Sequence, residues 1–119
     1  MALHNEIGEA GEKMAAAWLQ GKGYEILQIN WRYSYYEIDI IARKGGTLHI
    51  IEVKSRKYFP GAYPEDSVNR KKFKHLQRAA GQYLSLYPQY KWLQYDIVAI
   101  TLHKYKPAEF FLLQDVFIQ

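Results

Sequence analysis

Asp39, Glu52 and Lys54 are the residues of this chain whose types and spacing could do chemistry. They lie on two β-rich runs, Glu37 to Arg43 and Leu48 to Ser55, separated by Lys44-Gly45-Gly46-Thr47. Gly45-Gly46 is a strong two-residue hairpin signal, because a primed turn needs positive φ. Counting outward from that turn sets Asp39 opposite Glu52 and Glu37 opposite Lys54. Side chains alternate along a strand, so all four share one face. The other face carries Ile38, Ile40, Ala42, Ile51 and Val53, a surface suited to a core. Directly opposed residues have Cβ atoms roughly 4.5–5.5 Å apart, so Asp39 and Glu52 repel unless a positive charge lies between them. A divalent cation is one answer and a nearby lysine, Lys54, is another. The plain alternative is a solvated face of mixed charge. Against it, sheets usually set opposite charges across from each other, and Ile41 and Ile50 on the charged face point to partial cover.

A third carboxylate, Glu12, has Gly8, Ala15, Ala16 and Leu19 as its helical neighbours. A carboxylate in such an apolar patch is expensive without a partner. It either runs out to water or joins Asp39 and Glu52. Further along, Arg70, Lys71, Lys72, Lys74 and Arg78 crowd one helix with His75, while Val68, Leu76, Ala79, Ala80, Tyr83 and Leu84 can face a core. Arg56 and Lys57 lie just beyond Lys54. These cations are either a solvated face or a surface that meets backbone phosphates. Tyr58, Phe59 and Tyr63, in the loop between, either stack on an unpaired base or pack the loop down. Trp31, Tyr33, Tyr35 and Tyr36 allow no assignment. His4, His49 and His103 show no metal spacing and read as structural.

The elements that must position these groups follow from pattern. Asn5 can cap a helix to about Gln20, which Gly21 and Gly23 stop. Ile7, Ala10, Met14, Ala17 and Trp18 fall on one face of it. Tyr24 to Ile29 alternates like a strand, and Trp31 to Tyr36 is strand edge or loop. Pro60, Gly61 and Pro64 make Arg56 to Glu65 a loop. Asp66 or Ser67 can cap a second helix to about Tyr87, stopped by Pro88. Tyr95 to Leu102 reads as a buried strand and Glu109 to Leu113 as a last strand or ribbon. The order α-β-β-β-α-β predicts an α/β fold, a mixed sheet flanked by helices. The long connection through the second helix makes the strands on either side of it parallel.

Length bounds the answer: 119 residues predict a single domain, 1–119. Ordinary composition excludes collagen-like and wholly disordered classes. The absence of cysteine excludes a disulfide scaffold, a thiolate zinc site and a cysteine nucleophile, and fits a reducing cytoplasm. No signal peptide is visible, and no apolar run approaches the roughly 18–20 residues of a membrane span, so no membrane partner is expected. A net charge of +4 is weak support for a polyanion partner. Eleven tyrosines and three tryptophans suit either a core or a surface that stacks on bases.

Glu12, Asp39 and Glu52-Val53-Lys54, in that order, resemble the PD-(D/E)xK nuclease superfamily, which includes restriction enzymes and Holliday-junction resolvases. The whole chain resembles the bacterial YraN family of predicted endonucleases. The matching stretches are Gly8-Glu9-Ala10-Gly11-Glu12, Glu37-Ile38-Asp39-Ile40-Ile41-Ala42, Ile51-Glu52-Val53-Lys54-Ser55-Arg56, the helix from Ser67-Val68 through Lys72, Leu76 and Ala79, and Tyr95-Asp96-Ile97-Val98. The family usually has Gly where Tyr36 stands and Arg where Gln94 stands. The resemblance implies a restriction-endonuclease-like fold and a Mg²⁺- or Mn²⁺-dependent DNA endonuclease leaving a 5′-phosphate. It implies that Asp39 and Glu52 hold the metal with the Val53 carbonyl, and that Glu12 binds it through water or holds a second ion. Lys54 would orient the attacking water. DNA, processed in recombination, repair or DNA uptake, is the implied partner, and the resolvase analogy adds a homodimer. No base-reading helix is visible, so DNA shape rather than sequence is the expected preference, with Tyr58 or Phe59 stacking in the Arg56 to Glu65 loop favouring branched or single-stranded ends. Two alternatives remain: a nucleic-acid-binding protein of the same fold without catalysis, and a protein-interaction module of DNA-processing machinery.

Overall fold

A computed structural model describes residues 2–60 and 70–116, with side chains from Gly8 onward. It is a mixed α/β architecture: a five-stranded sheet with one helix on each face. In chain order the elements are α1 (Ala2–Gly21), β1 (Glu25–Tyr33), β2 (Tyr36–Lys44), β3 (Thr47–Lys57), α2 (Arg70–Leu86), β4 (Trp92–Leu102) and β5 (Glu109–Leu113). The strands lie in sequence order, antiparallel except for the parallel pair β3–β4 that α2 connects. That parallel pair is the one the crossover length predicts.

Two cores sandwich the sheet. On one face Phe73, Leu76, Ala79, Ala80 and Tyr83 of α2 pack on Ile38, Ile41, Leu48, Ile50 and Ile97. On the other, Ala15, Ala16 and Leu19 of α1 pack on Ile40, Ala42, Ile51, Val98 and Ile100. Gly11 lets α1 come close to the sheet, since a Cβ there would stand 2.3 Å from Ser55 Oγ. Glu12 is thereby held low over the strands.

Several sequence expectations need correction. α1 begins at Ala2, so Asn5 lies inside the helix and does not cap it. Its buried stripe is Gly11, Ala15, Ala16 and Leu19, with Met14 and Trp18 partly buried at its margin; Ala10 and Ala17 are exposed. Alanine is nearly neutral in hydrophobic patterning, so the apolar positions admitted two faces. Trp31 to Tyr36 is part edge strand and part turn: β1, an outer strand of the sheet, continues past Ile29 to Tyr33 and turns through Ser34-Tyr35 into β2, with Ser34 at a φ of 56°. β3 extends through Arg56 and Lys57, which the loop had claimed. Phe73 is a core residue of α2 that the pattern missed. The predicted caps Asp66 and Ser67, together with Tyr63 and Val68, lie outside the described residues.

The Gly45-Gly46 register holds from Lys44–Thr47 to Ile40–Ile51. There the paired ladder stops. Ile38 joins the α2-side core while Ile40 joins the α1-side core, so the predicted common face is broken between them, at Asp39. The β1 pairs Ile29–Ile40 and Trp31–Ile38 bracket Asn30 and Asp39, and Asn30 sits at a φ of 56°. Asn tolerates this left-handed conformation better than most residues.

Candidate active site

Where the β2–β3 ladder ends, the Val53 amide donates to Asp39 Oδ2 at 2.9 Å. It is therefore the Val53 N–H that engages the predicted metal ligand, fixing one of its oxygens. α1 brings Glu12 to the same place, where it hydrogen-bonds with both Asn30 and Asp39. Single oxygens of Glu12, Glu37 and Asp39 lie within 4.8 Å of one another. Glu52, 4 % exposed, approaches Asp39 closely enough to hydrogen-bond with it. Four carboxyl groups thus converge from α1, β2 and β3.

The electrostatics follow from this crowding. Burial, then the charge of Glu52 and a hydrogen bond with it, push Asp39 from 3.8 to about 9, against the opposing pull of the Val53 amide. Burial also raises Glu12; the hydrogen bonds from Asn30 and Asp39 oppose that rise, and the charges of Glu37 and Glu52 add to it. Glu12 Oε2 is buried with no hydrogen-bond partner.

A cation reaches this group from α2. Lys72 Nζ stands 2.9 Å from Glu52 Oε1. Burial works to lower the Lys72 pKa, but the hydrogen bond and charge of Glu52, with the fields of Asp39 and Glu37, raise it overall. An open pocket of about 330 Å³ is lined by Tyr35, Tyr36, Glu37, Asp39, Glu52, Lys71, Lys72, His75 and Leu76. Lys54 is half-buried on β3 and is not among its lining residues.

Of the predicted ligands, Asp39, Glu52 and Glu12 are brought together. Glu37, which the hairpin register placed on the same face, joins them. Asn30 was missed because β1 was ended at Ile29; reading Ser34-Tyr35 as the turn would have set it across from Asp39. The predicted phosphate-binding cations separate into different environments. Lys72 pairs with Glu52, Lys71 lines the pocket, and Arg78 Nη1 donates to Tyr36 Oη at 3.0 Å. Arg70 and Lys74 are exposed on α2, and Arg56 and Lys57 are exposed at the end of β3.

Residues 11–100 match the model of the uncharacterised protein family UPF0102. The chain belongs to that family. The match contains Glu12, Asp39, Glu52, Lys54 and the whole of α2, and it bears out the YraN-like resemblance. A UPF0102 protein of Bacteroides thetaiotaomicron is 42% identical over 100 residues, covering 84% of this chain and 83% of its own length. One from Christiangramia forsetii is 40% identical over 104 residues, 87% of each chain. One from Flavobacterium johnsoniae is 36% identical over 120 residues, 98% of this chain and 94% of its own. UPF0102 similarity therefore spans the elements that assemble the carboxylates.

Proposed function

We propose that this UPF0102 chain is a metal-dependent DNA endonuclease of the PD-(D/E)xK type. The observation that carries the reading is Asp39, held among Glu12, Glu37 and Glu52 with Glu12 Oε2 buried and unpaired beside it. Such a group is strained without a cation and suits a hard one, because all its donors are carboxylate oxygens. We assign Mg²⁺ or Mn²⁺ to Asp39 and Glu52, with Glu12 and the Val53 carbonyl as further oxygens. Bound by these residues, such an ion would supply polarisation of a phosphate oxygen and a lowered pKa for an attacking water.

The chain's own groups supply the rest. The Val53 amide fixes one Asp39 oxygen and leaves the other to face the site. Lys54 and Lys72 are the two amines that neutralise charge building on phosphorus and orient water. Lys54 follows Glu52 by two positions on β3, whereas Lys72 reaches Glu52 from α2. Arg56, Lys57, Arg70, Lys71, Lys74 and Arg78 hold the phosphate backbone, which positions a strand without reading its sequence.

The Lys72–Glu52 ion pair favours a second reading, DNA binding without cleavage, because a lysine already supplies positive charge to the carboxylates. A cleavage screen with Mn²⁺ over duplex, single-stranded, flap and four-way-junction DNA separates the two. Cleavage with 5′-phosphate products, lost in Asp39→Asn and Glu52→Gln, is the expected result. Tight binding to the same DNAs with no product would leave the second reading standing.

A further inference from the structure

The pocket that holds the carboxylates also has an aromatic side. Tyr36 is fixed there at several points. Its hydroxyl accepts from Arg78 Nη1 at 3.0 Å, its ring lies 5.0 Å from that of His75 at 54°, and its inner edge packs on the α2-side core. The preceding residue, Tyr35, is 95 % exposed yet lines the same pocket. Consecutive side chains of a strand point to opposite faces. Here the two-residue turn, with Ser34 at a φ of 56°, brings both rings to one place. A tyrosine left almost wholly in water, beside one whose ring is locked, is a flat surface with no partner in the fold.

We propose that Tyr35 and Tyr36, with His75 behind Tyr36, form a base-binding wall, and that the pocket takes an unpaired nucleotide. The inference deepens the endonuclease reading, because it names the substrate class of the same site: single-stranded DNA or the unpaired arm of a branch. Three features argue for a nucleotide. The rings offer a π-face, on which any base stacks without sequence preference. Lys71 and Lys72 line the pocket and match a phosphate. The volume, about 330 Å³, is at the lower end for ligand pockets and holds one nucleotide-sized group, not a duplex. A base inside a duplex has both faces stacked on its neighbours, so only an unpaired or extruded base can use the wall.

Among the described residues, Tyr35 and Tyr36 are the tyrosines that line this pocket. Trp31 is turned inward, edge-on to Tyr83 at 5.2 Å, and Tyr58 packs 4.8 Å from His103 in a different pocket.

The test uses the whole chain and oligonucleotides carrying 2-aminopurine, a base whose fluorescence is quenched on stacking, with Ca²⁺ in place of Mn²⁺. Single strands and flaps with the probe in the unpaired segment are expected to bind with quenching, and a fully paired duplex to bind more weakly. Tyr35→Ala, which removes no contact from the core, should reduce the quenching and weaken single-strand binding by about 5- to 150-fold. Tyr36→Leu should do the same, while Tyr36→Phe, which keeps the ring and loses only the Arg78 hydrogen bond, should retain both. Equal quenching in wild type, Tyr35→Ala and Tyr36→Leu would overturn the wall, as would duplex binding as tight as that of a single strand. The endonuclease reading fails separately. Ring-dependent quenching with no Mn²⁺-dependent product keeps the wall and removes the enzyme, and cleavage without such quenching does the reverse.

Discussion

Two aspartates flank the central strand β3, Asp39 on β2 and Asp96 on β4, and their surroundings are opposite. Asp96, 2 % exposed, is saturated with donors. Its Oδ2 pairs with His49 Nδ1 at 2.6 Å, and its Oδ1 accepts from Gln94 Nε2 and the Asp115 amide, both at 2.9 Å. Tyr24 closes over His49 edge-on at 5.1 Å. Gln94 thus supplies a neutral donor. Asp39 has one backbone donor and is crowded by the carboxyl groups of Glu52 and Glu12, with the Lys72 ammonium engaged by Glu52. The lesson is that burial of an acid does not mark function by itself. A buried acid with its oxygens filled ties strands together, whereas one surrounded by other acids carries an unmet electrostatic demand, which the proposed function assigns to a cation.

The largest expected difference is in pH dependence. The folded-state pKa of Asp39, about 9, lies above the unfolded value of 3.8, so the folded chain binds the extra proton. Its stabilising contribution is complete below the unfolded pKa and is lost as pH rises through about 9. Urea unfolding of the metal-free protein should show stability falling by up to about 1.4 kcal/mol per pH unit across that window. Asp39→Asn should flatten the curve. A wild-type curve that rises with pH would break the comparison.

Asp96→Ala comes next. It leaves the buried His49 without its partner and takes an acceptor from the half-buried Gln94 side chain and the Asp115 amide, and should cost roughly 3 kcal/mol in the same unfolding assay. Asp39→Asn should cost nothing at neutral pH. Similar losses from both would mean that the two acids do the same work.

Lys72→Ala should cost about 1–2 kcal/mol, less than a fully buried pair, because Glu52 is buried while the Lys72 side chain is 45% exposed. Lys54→Ala should change stability by less than about 0.5 kcal/mol. Cleavage rates of the two variants then sharpen the site. If Lys54→Ala cuts at the wild-type rate and Lys72→Ala does not, the catalytic amine is on α2.

The smallest effect concerns substrate holding. Replacing Arg70, Lys71 and Lys74 with Ala should weaken binding to all DNA sequences alike. Each lost phosphate contact should flatten the slope of log affinity against log salt by roughly 0.7–0.9. An unchanged slope would remove α2 as a phosphate-binding face.

Much of this architecture was legible because glycine and strand alternation are unambiguous local signals. Gly45-Gly46 set the β2–β3 register, which put Asp39 near Glu52, and Pro88 ended α2 close to its observed end at Leu86. Glu12 stood out because a charge among Gly8, Ala15, Ala16 and Leu19 needs an explanation. What failed depended on tertiary contacts. Ser34-Tyr35 has no Gly, Asn or Asp to mark a two-residue hairpin turn, so the β1–β2 hairpin and Asn30 stayed hidden. The strand period of two could not foresee the break at Asp39 that sends Ile38 and Ile40 to different cores. The cations of α2 read as one charged face, and nothing local distinguishes Lys72, which meets Glu52, from Lys74, which stays in water.

The central claim is that Asp39 waits for a cation, and calorimetric titration of Mn²⁺ at pH 7 tests it most directly. Run in two buffers of different ionisation enthalpy, the titration reports both binding and the protons released. With a pKa of about 9 Asp39 is protonated at that pH, so Mn²⁺ should bind with release of close to one proton. Asp39→Asn should lose both the binding and the release. Binding that is absent, or that proceeds unchanged in Asp39→Asn, would contradict the account.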